Sequence, residues 1–289
     1  DSDDSSRDHV NTSNLTTVNV LPPVEAPTGF FDLGVPARID DGLAACGFAQ
    51  PFNIQTEAIP VAMRGDDVCG RAKTGSGKTL AFGIPMLARI TDKAAPTRPL
   101  GLVLVPTREL AIQVAEVLQP VARHAGMNVL PVYGGASRHH QVEEMAKGIE
   151  LVVATPLRLI DLIKSNEVSL EDVQIVTLDE ADRMADDGFT PQVEWILRHC
   201  INRNQTMLFS ATLDGDVGHL IRAYQTDPVT VAIDEATDTV GNMSHLFLGI
   251  HHMDRDKVIG AIARGIPKLI VFCQTKRQCD KATERLQEL

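Results

Sequence analysis

The sequence has few aromatic side chains: Phe, Trp and Tyr make up 4% of its 289 residues. Hydrophobic residues still make up 44%, which predicts an aliphatic core and a globular chain. No apolar run approaches the roughly 20 residues that cross a bilayer, and the first residues lack a charged-then-apolar leader pattern. The five cysteines include no C-x-x-C pair, which favours reduced thiols. Together these absences predict a soluble cytoplasmic protein without membrane contact.

Basic charge is also scarce, because the formal net charge at pH 7 is -11. Taken alone, this value argues against a nucleic-acid partner, since binding phosphates needs basic surface. The acidic excess is unevenly distributed, however. Residues 1–28 carry a net charge of -4 and residues 234–241 carry -3, which leaves -4 for the rest of the chain. A basic face on that remainder is possible, although composition does not show one.

Short apolar runs alternate with helical patterns after a polar segment, residues 1–28, that we predict to be a disordered tail. The runs are apolar throughout, as is typical of strands covered by helices on both faces. Repetition of strand and helix predicts an α/β fold with a mostly parallel sheet and helices on both faces. The seven predicted strands are 67–72, 101–107, 128–134, 151–156, 173–180, 206–212 and 229–234.

The pattern restarts after residues 234–241, which we interpret as a linker. Predicted strands at 245–251 and 268–273 alternate with predicted helices at 254–264 and 275–289. Fewer than about 70 residues rarely hold a core without disulfides or metals. We therefore predict one complete domain over residues 29–233 and a truncated second domain over residues 242–289.

The stretch "AKTGSGKT", residues 72–79, has the features of a phosphate-binding loop. It follows a predicted strand and precedes a helical pattern, as such a loop requires. Backbone N–H groups of residues 75–79 would wrap phosphates, Lys78 would reach the β- and γ-phosphates, and the Thr79 hydroxyl would hold Mg²⁺. The departure from the general pattern is Ala72, which stands where the first glycine is expected. The alternative is a glycine-rich helix start without a ligand.

An acidic pair at the end of another buried strand would complete such a site. Asp179 ends the apolar run of the fifth predicted strand, where its carboxylate can face a metal ion, partly through bound water. Glu180 follows and is placed to activate or position a nucleophilic water. The alternative is a helix start with capping carboxylates. Together with Lys78, the pair predicts a catalytic nucleotide site.

Residues 179–182 spell "DEAD", and the chain resembles the DEAD-box ATP-dependent RNA helicases of the bacterial type. That family's phosphate loop is written A-x-T-G-S-G-K-T, so Ala72 is expected there. The resemblance runs from Phe30 to about Lys276, with the motifs in the family's order. It implies a RecA-like P-loop NTPase domain and a truncated second RecA-like domain, with ATP and Mg²⁺ as cofactors.

The stretch "GFAQPFNIQ", residues 47–55, resembles the family's Q motif. The resemblance implies that Gln55 reads the adenine edge and that Phe30 stacks on the adenine ring. Phe31 is an alternative shifted by one residue, and an isolated Phe is more often part of a core. The implied nucleotide site is completed by Ala72, Lys73, Thr74, Gly75, Ser76, Gly77, Lys78 and Thr79.

Three further stretches resemble the family's RNA-contacting motifs. Hydroxyls, helix N-termini and arginines suit a sugar–phosphate strand and do not read bases. Ordinary turns with helix caps are the alternative for each motif taken singly. The third motif departs from the family's pattern at Leu157, which stands where the family has Gly. The implied residues are Pro106, Thr107, Arg108, Gly134, Gly135, Thr155, Pro156 and Arg158.

Ser210, Ala211 and Thr212 resemble the motif that couples hydrolysis to strand separation, with Ser210 and Thr212 expected to hydrogen-bond Asp182. Residues 269–276 resemble the first motif of a second RecA-like domain. The resemblance implies a monomeric ATP-dependent RNA helicase that binds single-stranded or duplex RNA mainly through the backbone. With its second domain incomplete, the chain alone is expected to be weakly active. The alternatives are a non-catalytic ATP- or RNA-binding module and a DNA translocase.

Overall fold

The computed structural model describes residues 29–72, 75–232, 246–251 and 254–287. The chain divides into two compact units, Asp1–Asp234 and Glu235–Leu289. The predicted tail and the predicted linker lie outside the described residues. Among the described helices, none combines the length and apolar character that a bilayer-spanning segment needs.

The first unit contains a seven-stranded sheet, and every strand pairs in parallel with its neighbours. All seven predicted strands of this unit are confirmed, each shorter than its apolar run. Their order across the sheet is β3-β4-β2-β5-β6-β1-β7. The strands are β1 Val68–Arg71, β2 Gly101–Leu104, β3 Val129–Val132, β4 Leu151–Ala154, β5 Ile175–Asp179, β6 Gln205–Ser210 and β7 Val229–Ala232.

Helices precede and connect these strands. The first unit opens with a 3₁₀ turn, Phe31–Leu33, which is followed by nine α-helices in the described residues. The helix that begins at Arg138 is capped at its first turn, where the Ser137 hydroxyl accepts the His140 N–H. The helices are α1 Ala37–Ala45, α2 Asn53–Met63, α3 Lys78–Arg89, α4 Arg108–His124, α5 Arg138–Met145, α6 Pro156–Lys164, α7 Ala181–Asp186, α8 Thr190–His199 and α9 Gly215–Tyr224.

Two aliphatic clusters cover the two faces of the sheet, as the continuous apolar strands predict. Successive strand residues point to opposite faces, so Leu102 and Leu104 of β2 enter one cluster and Val103 enters the other. Helices α1 to α4 pack in the cluster that contains Val103, and α6 to α9 pack in the other. This arrangement leaves the carboxyl edge of the sheet for the loops that carry the predicted motifs.

The second unit contains two helices in the residues described, α10 Arg255–Gly265 and α11 Lys276–Gln287. Strands were expected at 245–251 and 268–273, and this prediction is wrong for the described residues 246–251 and 268–273. A strand is defined by its hydrogen bonds to a neighbouring strand. Neither segment pairs with such a neighbour among the residues that the structure describes. Their apolar side chains stay largely exposed, among them Phe247 and Phe272.

Candidate functional site

Three neighbouring strands, β5, β6 and β1, bring the predicted nucleotide motifs to one edge of the sheet. The register aligns Asp179 with Phe209 and Arg71 with Ser210, so the three strands end side by side. Neighbouring strands lie about 4.8 Å apart. The phosphate loop after β1 and the acidic pair at the end of β5 are therefore separated by the width of one intervening strand.

The phosphate loop enters α3 through two left-handed glycines. Gly75 has φ 89° and Gly77 has φ 88°. Residues with a Cβ rarely adopt this left-handed region. Gly77 precedes the first residue of α3, and no side chain caps this helix start. Because the N-cap residue is a glycine, it offers no side-chain acceptor to the first N–H groups of α3, which suits an anion at the positive end of the helix. The predicted residues Lys73 and Thr74 lie outside the described part of the chain.

Lys78 and Asp179 meet at this edge. The Lys78 Nζ lies 3.7 Å from the Asp179 Oδ1, and both side chains are buried. Burial raises the pKa of the Asp179 carboxyl to about 6, although the Lys78 ammonium opposes that shift. A buried carboxyl with a perturbed pKa and a specific charged partner is a candidate for a functional site.

Glu180 follows Asp179 in a left-handed conformation, with φ 52° and ψ 50°. This conformation is uncommon for a residue with a side chain and is associated with functional sites. The Glu180 N–H donates to Asp179 Oδ1 at 3.0 Å, and its carboxylate lies 3.5 Å from the Arg183 guanidinium. The two carboxylates are therefore held in different places by different partners.

The oxygen donors at this edge fit a magnesium ion. The Thr79 hydroxyl is partly exposed at the start of α3, and the Asp179 and Glu180 carboxylates follow β5. No group of three or more His, Cys, Asp or Glu that could hold a metal occurs among the residues described. Mg²⁺ is usually bound through one or two carboxylates and takes its other ligands from phosphates and water.

Asp182 joins the acidic motif to the end of β6. Its backbone N–H donates to the Ser210 hydroxyl at 3.2 Å, and its Oδ2 accepts from the Ala211 N–H at 3.1 Å. The expected contact with Ser210 is thus present. Asp182 reaches Ala211, and no hydrogen bond to Thr212 accompanies it among the described residues. A short chain of bonds links the helix after the acidic pair to the loop after β6.

The side-chain amide of Gln55, which was predicted to read the base, is hydrogen-bonded within the protein. Its Oε1 accepts from the Phe52 N–H at 2.8 Å, and its Nε2 donates to the Gly77 carbonyl at 2.9 Å. The side chain is buried, so it ties the Q-motif stretch to the phosphate loop. Reading an adenine edge would use the remaining lone pair and N–H of the amide.

The phenylalanine expected to stack on adenine lies in the core instead. Phe30 is 2% exposed and belongs to one of the aliphatic clusters, so a base could reach its ring only if the ring left the core. Phe31 and Phe52 are the exposed rings of this region, at 65% and 63%. Phe52 was not singled out from the sequence. Nothing in the sequence distinguished it from the other apolar residues of this motif, such as Phe48 and Ile54.

The motifs expected to contact RNA follow three other consecutive strands, β3, β4 and β2. They therefore share the carboxyl edge with the nucleotide motifs but occupy its other half. The Thr107 hydroxyl accepts from the Leu110 N–H at 3.3 Å and caps α4, as the alternative interpretation of that motif expects. Arg108 is exposed and pairs with Glu109. Pro156 begins α6, directly after Thr155.

Gln141 is a residue of this half that the sequence did not indicate. It is buried on α5, donates to the Tyr133 carbonyl at 3.1 Å and accepts from Arg158 Nη1 at 3.2 Å. Arg158 also donates to the Ala136 carbonyl at 3.3 Å. Gln141 thereby fixes the loop that contains Gly134 and Gly135 against the third motif.

A cleft of about 290 Å³ opens between the two acidic motif residues and the phosphate loop. It is lined by Ala72, Lys78, Glu180, Asp182, Arg183, Asp186 and Ala211. The cleft is thus lined by residues of both motifs, with Lys78 from the phosphate loop and Glu180 from the acidic pair.

A phosphate loop after β1 and an acidic pair after β5, with β6 between them in a parallel sheet, define a RecA-like P-loop nucleotide-binding domain. The family model of the DEAD/DEAH box helicases matches residues 52–220, more than half of the chain. The chain belongs to this DEAD/DEAH box helicase family.

Several relatives are similar over most of this chain. The DEAD-box ATP-dependent RNA helicase CshA of Bacillus cereus is 35% identical over 90% of this chain and 49% of its own length. The protein of the same name from Geobacillus kaustophilus is 36% identical over 90% and 56%. DEAD-box ATP-dependent RNA helicase 30 of Arabidopsis thaliana is 36% identical over 89% and 45%. The chain thus spans about half the length of these relatives.

A solved structure supports the fold. The crystal structure of a hypothetical ATP-dependent RNA helicase from Sulfolobus tokodaii matches with a TM-score of 0.63 and 35% sequence identity. The match covers 68% of this chain and 56% of that one.

Proposed function

We propose that this chain carries the ATP-binding half of an ATP-dependent RNA helicase, which couples Mg·ATP binding and hydrolysis to local separation of RNA strands or remodelling of RNA–protein complexes. The observation that carries the proposal is the approach of Lys78 Nζ to Asp179 Oδ1, 3.7 Å, at the ends of strands that flank β6. A buried ammonium beside a buried carboxylate is suited to a triphosphate and its metal ion.

Each residue of the site has a role that follows from its position. Backbone N–H groups of the loop hold the phosphates, and Lys78 neutralises their charge. Glu180, directed by its left-handed backbone and by Arg183, orients the attacking water and accepts its proton. A magnesium ion held by Thr79 and Asp179 would supply further neutralisation of the phosphate charge.

RNA would lie along the other half of the same edge, over the loops that follow β2, β3 and β4. Arg108 is exposed there, and Arg158 is oriented by Gln141 and the Ala136 carbonyl. Helix starts and arginines contact phosphates without reading sequence. Asp182, bonded to Ser210 and Ala211, would report the state of the nucleotide toward this half.

We further propose that these 289 residues alone hydrolyse ATP weakly. In related P-loop enzymes an arginine that meets the transition-state charge from the opposite side raises the rate by about 10³–10⁵. The family's later arginine motifs have no counterpart in this sequence, and the chain spans about half the length of its relatives. RNA-stimulated turnover equal to that of a two-domain enzyme would contradict this proposal.

The proposal also includes a monomer in the cytoplasm. The five cysteines, Cys46, Cys69, Cys200, Cys273 and Cys279, are all free thiols, as a reducing compartment favours. Sedimentation of the purified chain at several concentrations tests the monomer, and a mass that rises with concentration would contradict it.

The test is ATP hydrolysis by the wild-type chain, by Lys78→Ala and by Glu180→Gln, with and without single-stranded RNA. Glu116→Gln, an exposed carboxylate on α4, is the matched control. We expect slow hydrolysis that both site variants abolish and that Glu116→Gln leaves unchanged.

A chain that binds ATP but shows no Glu180-dependent hydrolysis would overturn the enzyme proposal and favour a non-catalytic binding module. A matched DNA strand that competes as well as RNA would favour a DNA translocase, because a site that contacts the 2′-hydroxyl must prefer RNA.

A further inference from the structure

Phe52 is a large apolar side chain that stays 63% exposed beside the phosphate loop. It lies immediately before α2, in the Q-motif stretch. A Cβ built on Gly77 would lie 2.6 Å from the Phe52 Cδ2, closer than real contacts allow. The edge of the ring is therefore packed against the backbone of Gly77, while most of its surface remains open.

Gln55 holds this ring in place. Its side-chain oxygen accepts the Phe52 N–H at 2.8 Å, and its side-chain nitrogen donates to the Gly77 carbonyl at 2.9 Å. One buried amide thus fixes the backbone of Phe52 and the backbone of the loop to each other. The ring has a defined position relative to any phosphate that the loop binds, which is the preorganisation that a binding surface requires.

The other aromatic residues near the start of the domain are less suited to hold a base. Phe30 is buried in the core at 2% exposure, and its ring faces are covered by protein. Phe31 is exposed, but it lies on the 3₁₀ turn that precedes α1. Phe52 combines exposure with contact to the phosphate loop.

We propose that Phe52 is the surface on which the nucleoside of a bound nucleotide packs, with Gln55 acting as the positioning residue for its ring. This inference rests on the proposed ATP site and names a specific contact within it. Because every base has a π-face, such packing favours all nucleotides to a similar extent. Phe52 would therefore raise nucleotide affinity without setting the preference among bases.

The experiment is calorimetric titration of the full 289-residue chain with Mg·ATP, Mg·GTP and magnesium tripolyphosphate, which has no nucleoside. We compare wild type with Phe52→Ala and Phe52→Trp. We expect Phe52→Ala to weaken ATP and GTP alike by about tenfold, which corresponds to about 1.4 kcal/mol. Affinity for tripolyphosphate should change less than twofold, and Phe52→Trp should keep the wild-type affinity for ATP.

Two further variants sharpen the test. Ile201→Ala removes a comparably exposed apolar side chain from the loop before β6, at the opposite edge of the sheet, and should leave all three affinities unchanged. Phe31→Ala tests the competing platform, and loss of ATP affinity there but not in Phe52→Ala would overturn the inference.

The remaining outcomes are also distinguishable. An equal loss for ATP and tripolyphosphate would show that the ring only supports the loop, which overturns the inference while the ATP site stands. If Phe52→Ala binds ATP as tightly as the wild-type chain does, the inference about Phe52 is overturned while the proposed ATP site stands. A wild-type chain that binds no nucleotide overturns the inference and the proposed function together.

Discussion

Asp179→Asn should change the pH dependence of stability, because Asp179 ionises inside the protein. Burial raises its pKa from the ordinary 3.8 to about 6 in the folded chain. A raised carboxyl pKa means that the folded state holds the proton more tightly than the unfolded state. The cost of ionising Asp179 in the fold therefore appears as the pH rises between these two values and is complete above about pH 6.

At pH 7.5 the ionised Asp179 therefore lowers the free energy of unfolding by roughly 3 kcal/mol relative to a neutral group at the same position. About half of that difference develops between pH 5 and pH 7.5. For a domain of this size, 1 kcal/mol changes the Tm by about 2–4 °C. The Tm of Asp179→Asn relative to wild type should therefore rise by about 3–6 °C across this range.

The assay is thermal unfolding followed by fluorescence at pH 5, 6, 6.75 and 7.5, without nucleotide or Mg²⁺. Asp187→Asn, which removes an exposed carboxylate just after α7, is the control. A Tm difference for Asp179→Asn that stays constant or falls with rising pH would refute the reasoning. A falling difference would mean that Lys78 outweighs the effect of burial, and a constant difference would mean that the two effects cancel.

Two further substitutions test other parts of the site. Gly75 and Gly77 share the same left-handed backbone, but a Cβ meets open space at Gly75 and a ring and an amide at Gly77. By urea unfolding, Gly77→Ala should thus be less stable than Gly75→Ala by about 1–3 kcal/mol, and equal stabilities would contradict the contact. Gln141→Leu removes the acceptor of Arg158, so affinity for labelled single-stranded RNA should fall several-fold by anisotropy while ATP affinity is retained. Parallel loss of both affinities would show a general structural role instead.

The strands of the first unit could be predicted from the sequence because their cause is local in the chain. A strand buried on both faces must be apolar throughout, and residues 101–104 and 151–154 show this pattern without interruption. Residues that follow such strands meet at the carboxyl edge of a parallel sheet. The approach of Lys78 to Asp179 was therefore predictable, although they are far apart in sequence.

The strands of the second unit could not be predicted in the same way. Apolar composition at residues 246–251 and 268–273 indicates a tendency toward burial, but it does not supply the neighbour that a strand needs. The same apolar pattern therefore forms strands in the first unit and none among the described residues of the second.

Within the site, the sequence identified residue types but not their partners. Gln55 was expected to face a base, yet its amide reaches Gly77, and that contact depends on how α2 packs beside the phosphate loop. The position of Phe30 was decided by burial in the core, for which a motif carries no signal. The elevated pKa of Asp179 likewise arises from the surrounding tertiary structure.

The central claim is that Lys78 and Asp179 act on the same bound nucleotide. The most direct test is a double-mutant cycle on Mg·ATP affinity with wild type, Lys78→Ala, Asp179→Asn and the double variant. Residues that share one ligand should be coupled by about 0.5–3 kcal/mol, so the double variant should lose less affinity than the two single losses combined. Losses that add within about 0.3–0.5 kcal/mol, or single variants that bind Mg·ATP as wild type does, would contradict the account.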